Sequence, residues 1–346
     1  MGTSPLAANA QTYGIPEGVN LTGNSAVKWE TNIIPVCWEN LDSSNQDGRD
    51  WSRSAVEDTW QKNSQLLFTG WNQCKSDSQG IRIRIADETA RSIVGKGMSG
   101  KENGMYLNFT FENWSPGCSK KREACIKAYA VHEFGHAFGF GHEQTRKDTP
   151  QECKSLHPVD EEHIVGEAQY VTSYDPNSVM SYCSGGSKAG VHNDGILTSY
   201  DTEGVQEWYG EPPIAGVPKL MIQTEGYPVV AVFSERKESF ALGCIEIRNT
   251  WEKIPVNVVD SATYNSVQAT NPVVADLPCD GSIKAYAPTN EPGSLVIKHR
   301  NGVYYRHYIN PLDLIGAVKA GDLIPIDVSE FRTTFPERGT DFQVYR

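Results

Sequence analysis

The first half of the chain mixes strand-like and helix-like patterns of apolar residues. An apolar, β-branched stretch within 27–38 predicts a strand, and the alternation of isoleucine with arginine over 80–86 predicts a second, half-buried strand. Residues 105–111 are a third candidate strand. Apolar residues at helical spacing predict a helix near 51–66, and a further helix is expected from 122 to 138.

Regular periodicity is weaker between 143 and 195, and a short helix is predicted near 199–208. Thr198 and Asp201 form the signature of a capping box at its start, and Gly210 stands where a helix would stop. Strands that precede long helices, with few strands afterwards, indicate an α+β fold for this part of the chain.

The pattern changes after a proline-rich linker at 212–218. Helical periodicity is scarce there, strand-like runs recur, and Asn301-Gly302 between two such runs is a strong hairpin signal. We therefore predict an all-β, sandwich-like domain over 219–346. Residues 27–211 form the first predicted domain, and residues 1–26 are interpreted as a lead-in left from a signal or pro segment.

Composition narrows the class of protein. The chain has 346 residues, a length that favours two domains, and 38% of them are hydrophobic. No apolar run is long enough to span a bilayer, so we do not expect a membrane-embedded protein. The formal net charge of -12 argues against nucleic acid as a partner, because such binding needs a basic face.

The eight cysteines are even in number, widely spaced and free of CxxC pairs. This pattern predicts a disulfide-bonded protein from an oxidising compartment, and the alternative is a cytosolic protein with free buried thiols. Connectivity does not follow from the sequence. Pairing neighbours along the chain gives Cys37–Cys74, Cys118–Cys125, Cys153–Cys183 and Cys244–Cys279.

One segment, HEFGHAFGFGHE, carries the chemistry. His132 and His136 lie four positions apart, so on a helix both can point a ring nitrogen at one ion, with Glu133 beside that ion as a general base. Gly139 can adopt the left-handed conformation that ends a helix, and the turn would bring His142 to the same ion.

Three neutral imidazoles that leave a fourth position for water are typical of catalytic zinc, although cobalt or copper could bind the same set. The alternative is three histidines with packing or surface roles. That alternative does not explain five specified residues at fixed spacings, which together form a known metalloprotease signature.

A second element lies about forty residues downstream of the histidines. The segment Ser178-Val179-Met180-Ser181-Tyr182 matches the methionine turn that accompanies the extended histidine motif. A lone methionine or tyrosine is nearly always a packing residue, so their joint placement after the motif favours the functional interpretation.

With these motifs, the sequence over about 27–210 resembles the astacin family of metzincin endopeptidases. Residues 139–146 resemble the stretch around the third metal ligand, and Glu143 favours astacins over serralysins, which carry proline there. Residues 197–201 and 208–210 resemble the family's last helix. The resemblance implies a metzincin-type catalytic domain with a twisted sheet, an active-site helix and a C-terminal helix, and one catalytic Zn²⁺.

The same resemblance implies roles outside the histidine motif. Tyr182 would be a further zinc ligand that leaves the metal when substrate binds and then stabilises the oxyanion, and Met180 would form a hydrophobic floor under the histidines. An extended substrate would pair with an edge strand formed by Met105, Tyr106, Leu107, Asn108 and Phe109. In the family, the glutamate that matches Glu143 meets the new N-terminus through water, so here either further trimming occurs or Glu143 has another partner.

The predicted function is that of a secreted zinc-dependent endopeptidase, a monomer that acts on protein or peptide substrates with Glu133 as general base. The alternatives are a binding protein that kept the metal site but lost catalysis, and another metzincin type. Lys188, after the methionine turn, is a solvated lysine or a group that favours acidic side chains. Surface roles are expected for the histidines outside the motif, which are His157, His163, His192, His299 and His307.

Overall fold

The computed structural model describes residues 27–159, 170–183, 192–213, 218–242 and 254–277, the segments 284–288, 295–298, 304–307, 323–326 and 343–345, and residue 333. The chain divides into two compact units. The first contains Val36–Trp60 and Asn72–Trp208 together with residues 27–31, and the second contains Asn32–Pro35, Gln61–Trp71 and the described residues from 209 onwards.

The N-terminal part of the chain forms a five-stranded sheet in the order β2-β1-β3-β5-β4. β3 pairs in parallel with both β1 and β5, and β4 runs antiparallel to β5. The strands are β1 (Ile33–Trp38), β2 (Leu67–Gln73), β3 (Ile81–Ile85), β4 (Arg91–Ser92) and β5 (Met105–Leu107).

The prediction that Met105–Phe109 forms an edge strand is wrong. β5 is paired on both sides, because Arg91 of β4 lies opposite Tyr106 and closes the side that the sequence left open. Regular strand structure also ends at Leu107, earlier than predicted. The Asn108 side chain causes this ending, since its Oδ1 accepts hydrogen bonds from the two backbone N–H groups of Thr110 and Phe111.

Strand β3 is covered more fully than the isoleucine–arginine alternation predicts. Arg82 is only 4% exposed, and its guanidinium donates to both carboxylate oxygens of Glu39 at 2.8 and 3.1 Å. Arg84 is exposed, as expected. A buried arginine is therefore accommodated by a bidentate ion pair, and its hydrogen bonds lower the pKa of Glu39.

Helix α1 (Gln46–Val56) begins more than a turn before the predicted start and continues into a π-helical turn at Glu57–Gln61. Capping in the short turn that leads into the helix explains the earlier start. The Asp42 carboxylate accepts a hydrogen bond from the Ser44 N–H, and the Asn45 side chain accepts one from the Asp42 N–H.

Helix α2 (Arg122–Ala137) confirms the helix predicted over 122–138 and is buried along most of its length. Two indole groups fix its position: Trp60 Nε1 donates to the Val131 carbonyl at 2.8 Å, and Trp29 Nε1 donates to the Ala137 carbonyl at 2.7 Å. Both hydrogen bonds fall on the half of the helix that carries the histidines.

The short helix α3 (Gln151–Leu156) is followed by α4 (Ser199–Tyr209), which the sequence predicted. The capping box of α4 is confirmed, because the Asp201 N–H donates to Thr198 Oγ1 at 3.1 Å and the Thr198 N–H donates to Asp201 Oδ2 at 3.0 Å. Gly210 follows with a φ of 84° and ends the helix. Among the described residues, no helix is both long and apolar enough to cross a membrane.

Three of the predicted disulfides are confirmed in the described part of the chain. Cys244 and Cys279 lie outside the described residues, so their pairing stays a prediction. The bonded pairs are Cys37–Cys74, Cys118–Cys125 and Cys153–Cys183.

The second unit contains two further five-stranded sheets, in the orders β10-β8-β7-β6-β9 and β14-β11-β12-β13-β15. Their strands are β6 (Leu220–Gln223), β7 (Val229–Phe233), β8 (Glu238–Leu242), β9 (Val256–Val258), β10 (Val273–Leu277), β11 (Lys284–Pro288), β12 (Leu295–Lys298), β13 (Tyr304–His307), β14 (Leu323–Ile326) and β15 (Gln343–Tyr345). The pairing of β12 with β13, with Lys298 opposite Tyr304, confirms the hairpin prediction. Its turn lies outside the described residues.

The all-β character predicted for 219–346 is not confirmed, because helix α5 (Ser261–Thr270) lies within this region. Asp260 caps it by accepting a hydrogen bond from the Thr263 N–H at 2.7 Å. Only Tyr264 and Val267 are buried on this helix, so its apolar periodicity is too sparse to be recognised in the sequence. The predicted bounds of the two domains stay a prediction.

We predict that Glu39→Gln lowers the free energy of unfolding at pH 7 by about 3 kcal/mol, because the change removes the bidentate partner of the buried Arg82 charge and leaves it the exposed Glu102 carboxylate at 3.8 Å. Urea denaturation measures the effect. The matched control is Arg84→Gln, an exposed arginine on the same strand, which should leave stability nearly unchanged.

The same pair predicts a pH dependence. Since the pKa of Glu39 is lowered in the folded protein, its stabilisation is present above the ordinary glutamate pKa of about 4.3 and is lost as the pH falls through the folded value. The difference between wild type and Glu39→Gln should therefore shrink below about pH 4. Equal stabilities at pH 7 would contradict the assignment.

Candidate metal centre

The three motif histidines converge on one point, as predicted. His132 and His136 lie on α2, and His142 follows the turn that ends this helix. The three Nε2 atoms lie 3.1 Å (His132 to His136), 3.0 Å (His136 to His142) and 3.2 Å (His132 to His142) from one another. In the described part of the chain, this is the cluster of side chains that could hold a metal ion.

Backbone carbonyls fix which ring nitrogen carries the proton. His132 Nδ1 lies 2.7 Å from the Val179 carbonyl, and His136 Nδ1 lies 2.7 Å from the Phe140 carbonyl. A carbonyl only accepts hydrogen bonds, so in each ring Nδ1 is the donor and Nε2 of the neutral ring presents a lone pair. Burial lowers the pKa of His136 to about 4 and that of His132 and His142 well below the ordinary value.

This geometry fits a divalent cation. Ligand atoms at about 2.0–2.1 Å from a tetrahedral zinc are separated by about 3.3 Å, close to the observed separations. Without a cation the three lone pairs would repel one another. Glu133 Oε2 is also buried without a hydrogen-bond partner among the described residues, which leaves it free for a water molecule or another ligand at the centre. The donor set suits zinc, and cobalt or copper fit it as well.

Gly139 makes the turn that the sequence predicted. Its φ is 105°, and a side chain at this position would meet the Trp208 ring at 2.8 Å and the Val27 side chain at 3.2 Å. The Gly139 N–H donates to the His136 carbonyl at 2.8 Å, which closes the helix end. The turn is thus restricted to glycine by conformation and by space, and it delivers His142 to the other two rings.

Glu133 is 3% exposed. Burial raises the pKa of its carboxyl well above the ordinary value, and the positive charge of Arg91 partly opposes this effect. A cation held by the neighbouring histidines would, like Arg91, oppose the effect of burial and lower the pKa of Glu133, because an opposite charge favours the ionised carboxylate. A side chain in this setting can both accept and return a proton.

The methionine turn lies directly against the histidine helix. Met180 is fully buried, and its sulfur occupies the space that a side chain at Gly135 would need, since a Cβ there would lie 2.3 Å from Sδ. Asp201 holds the turn: it accepts hydrogen bonds from the Ser178 hydroxyl and, at 3.1 Å, from the Val179 N–H. The sequence analysis identified Asp201 only as a cap of α4. Its contact with the methionine turn joins residues that are far apart in the chain, so no local sequence pattern indicates it.

Tyr182 borders the exposed side of the centre. Its ring lies 4.5 Å from that of His142 and 5.8 Å from that of His132, measured between centroids, and the side chain is 45% exposed. Desolvation of the phenol, and then the charge of Glu133, raise its pKa, so the hydroxyl keeps its proton at neutral pH. Direct ligation of the metal by Tyr182 stays a prediction.

Glu143 has partners within the described protein. Its Oε2 accepts from the Asp175 N–H at 2.8 Å, and its Oε1 lies 3.6 Å from Arg146, which also pairs with Asp148 at 2.8 Å. Burial nevertheless raises the pKa of Glu143 to about 7. These contacts supply Glu143 with another partner, and further trimming of the chain stays a prediction.

The expectation of a surface role for His192 is wrong. Its side chain is 8% exposed, and its ring lies 3.6 Å from the ring of His132, nearly parallel to it. No ligand spacing connects the two residues, which explains why the sequence did not identify it. Of the other histidines, His157 lies 5.8 Å from the Tyr182 ring, whereas His163 and His299, like Lys188, lie outside the described residues.

Two histidines one helical turn apart, a third after a glycine turn and a buried methionine turn beneath them define a metzincin-type metal site. A scan against protein-family models finds no match. The chain is similar to bone morphogenetic protein 1 of Xenopus laevis, with 36% identity over 99 residues, which is 26% of this chain and 13% of that protein. This match confirms the resemblance to the astacin family, and the chain spans only that small part of its relative.

Among solved structures, myroilysin shows 19% sequence identity and a TM-score of 0.40, over 53% of this chain and 96% of that one. A hatching enzyme zinc-protease of the medaka Oryzias latipes, high choriolytic enzyme 1, shows 15% identity and a TM-score of 0.35, over 56% of this chain and 98% of that one.

We predict that Gly139→Ala lowers the free energy of unfolding by about 1–3 kcal/mol and weakens zinc binding, because the strained backbone and the clash with Trp208 displace His142. Thermal denaturation and competition with a chromophoric chelator measure the two effects. Gly97→Ala is the control, since no heavy atom lies within 4 Å of the added Cβ. Unchanged zinc affinity in Gly139→Ala would show that the Gly139 turn does not position His142.

Proposed function

We propose that this chain is a secreted, zinc-dependent endopeptidase that hydrolyses peptide bonds in proteins. The convergence of three neutral imidazoles beside the buried carboxyl group of Glu133 carries the proposal. This combination suits metal-assisted hydrolysis, because it provides ligands for a cation and a group that can accept a proton from water. The disulfides support an oxidising compartment, and we propose that the peptidase domain comprises residues 27–211.

His132, His136 and His142 would hold the zinc ion. When bound, zinc supplies a Lewis acid that activates water for attack on a carbonyl. Glu133 accepts a proton from the attacking water and passes it to the leaving amine, a role for which its buried, unpaired Oε2 is suited. Burial around these groups keeps competing hydrogen bonds away from them and strengthens their electrostatic interactions.

Tyr182 supplies the second proposed contribution. Because its phenol stays protonated at neutral pH, it can donate a hydrogen bond to the oxygen of the attacked carbonyl as negative charge develops there. Its position at the exposed side of the centre allows this contact with a substrate that enters from solvent.

We predict that Glu133→Gln lowers kcat on casein by about 10²–10⁴-fold and leaves zinc content unchanged, since the amide cannot take up the proton. Metal analysis and a casein digestion assay measure the two quantities. Glu123→Gln is the matched control, because this glutamate lies on the same helix, is 52% exposed and pairs with Lys127.

The same assay tests the metal. A chelator should abolish casein digestion by the wild type, and added zinc should restore it. Wild-type protein that holds one zinc ion but digests nothing would indicate a binding protein and would overturn the proposed activity. Full activity of Glu133→Gln would instead remove only Glu133 from the mechanism.

We predict that Tyr182→Phe lowers kcat by about 10²-fold with little loss of zinc, because one donor to the developing oxyanion is removed. Stopped digestion assays with a fluorogenic peptide give kcat and KM separately. Tyr200→Phe, which changes a tyrosine that is 40% exposed on α4, should behave as wild type. An unchanged kcat in Tyr182→Phe would assign Tyr182 a packing role.

A further inference from the structure

His192 lies face to face with one of the proposed metal ligands. The centroids of the His192 and His132 rings are 3.6 Å apart, and their planes differ by 24°. Tyr129 contacts the His192 ring edge-on at 5.2 Å, and the Tyr182 ring is 5.5 Å away. His192 is therefore enclosed by aromatic rings, with one flat face against His132.

The backbone that carries His192 is strained. His192, Asn193 and Asp194 have φ values of 43°, 48° and 57°, and Gly195 follows at 74°. Left-handed conformations cost free energy for residues other than glycine, and three such residues in succession persist only where the surroundings impose them. This segment, His192–Gly195, therefore has its conformation imposed by tertiary contacts.

Contacts with α2 supply the restraint. A Cβ at Gly195 would lie 3.1 Å from the Cα of Ala128 and 3.3 Å from the carbonyl oxygen of Lys127, so the segment packs on the helix backbone itself. Asn193 Nδ2 also donates to the Ile196 carbonyl at 2.7 Å. The segment is thus held against the same helix that carries His132.

The His132 ring needs a second restraint. Its hydrogen bond from Nδ1 to the Val179 carbonyl fixes one edge of the ring but still allows it to pivot about that bond. A parallel ring 3.6 Å away removes this pivot, since rotation of His132 would drive its edge into His192. A ligand with both restraints loses less freedom when metal binds.

We propose that His192 is a positioning residue for the metal centre: its ring, held by the strained segment His192–Gly195 on α2, fixes the plane of His132 so that Nε2 points at the ion. The inference rests on the proposed function in that His132 is taken as a zinc ligand. It concerns metal affinity and ligand orientation, and it does not depend on peptide hydrolysis.

Three variants at His192 test the role of the flat ring. His192→Phe keeps the stacked ring, His192→Leu fills similar volume without one, and His192→Ala leaves a cavity. Zinc affinity is measured by chelator competition on the full chain. We expect a loss of about 10–100-fold for the Leu and Ala variants and near wild-type affinity for the Phe variant. The visible absorption bands of bound Co²⁺ should shift in the Leu variant but not in the Phe variant.

A second pair of variants moves the ring without changing it. Gly195→Ala should push the segment away from α2 and reduce zinc affinity, because its Cβ would meet the helix backbone. Gly226→Ala is the matched control, since its φ of 79° imposes the same backbone strain with no heavy atom within 4 Å of the added Cβ. Circular dichroism of the metal-free proteins checks that each variant is folded.

The outcomes separate this inference from the proposed function. Wild-type zinc affinity and an unshifted Co²⁺ spectrum in His192→Leu would overturn the positioning role. So would a loss in His192→Phe as large as that in His192→Ala, or a wild-type protein that binds no zinc. A wild type that binds zinc without hydrolysing casein would overturn only the proposed function.

Discussion

Three unprotonated nitrogen atoms held within about 3 Å of one another are the constraint on which the rest of this centre depends. Their lone pairs repel, and protonation cannot relieve the repulsion near neutral pH because burial lowers the pKa of each imidazole. A divalent cation converts this repulsion into three coordinate bonds. Until it binds, the surrounding protein must hold the rings in an unfavourable arrangement.

That support comes from backbone carbonyls in two turns. The Val179 and Phe140 carbonyls orient the imidazoles of His132 and His136, so the geometry of the centre is only as precise as the turns that carry them. Asp201 restrains the first turn while it caps α4, and Gly139 shapes the second. One carboxylate thus couples the start of the C-terminal helix to the orientation of a metal ligand.

Local rules account for what the sequence could predict. Helical spacing identified His132 and His136, backbone freedom identified Gly139, and capping identified the start of α4, because each depends on residues close together in the chain. Nonlocal contacts account for what it could not. The burial of Arg82 requires Glu39 from the turn after β1, and the enclosed position of β5 follows from its antiparallel pairing with β4. The stacking of His192 on His132 likewise depends on tertiary packing.

The Glu143 carboxylate accepts a hydrogen bond that holds a turn, and it also carries a buried charge that needs a partner. Its hydrogen bond from the Asp175 N–H ties the turn of the third histidine to the segment that leads into the methionine turn. Its charge is less well satisfied, since Arg146 lies 3.6 Å away and binds Asp148 more closely. Burial therefore outweighs the hydrogen bond from Asp175 and the charge of Arg146, and it raises the pKa of Glu143 to about 7. The hydrogen bond from Asp175 thus holds the turn in place, whereas the charge of Glu143 is only partly balanced by Arg146.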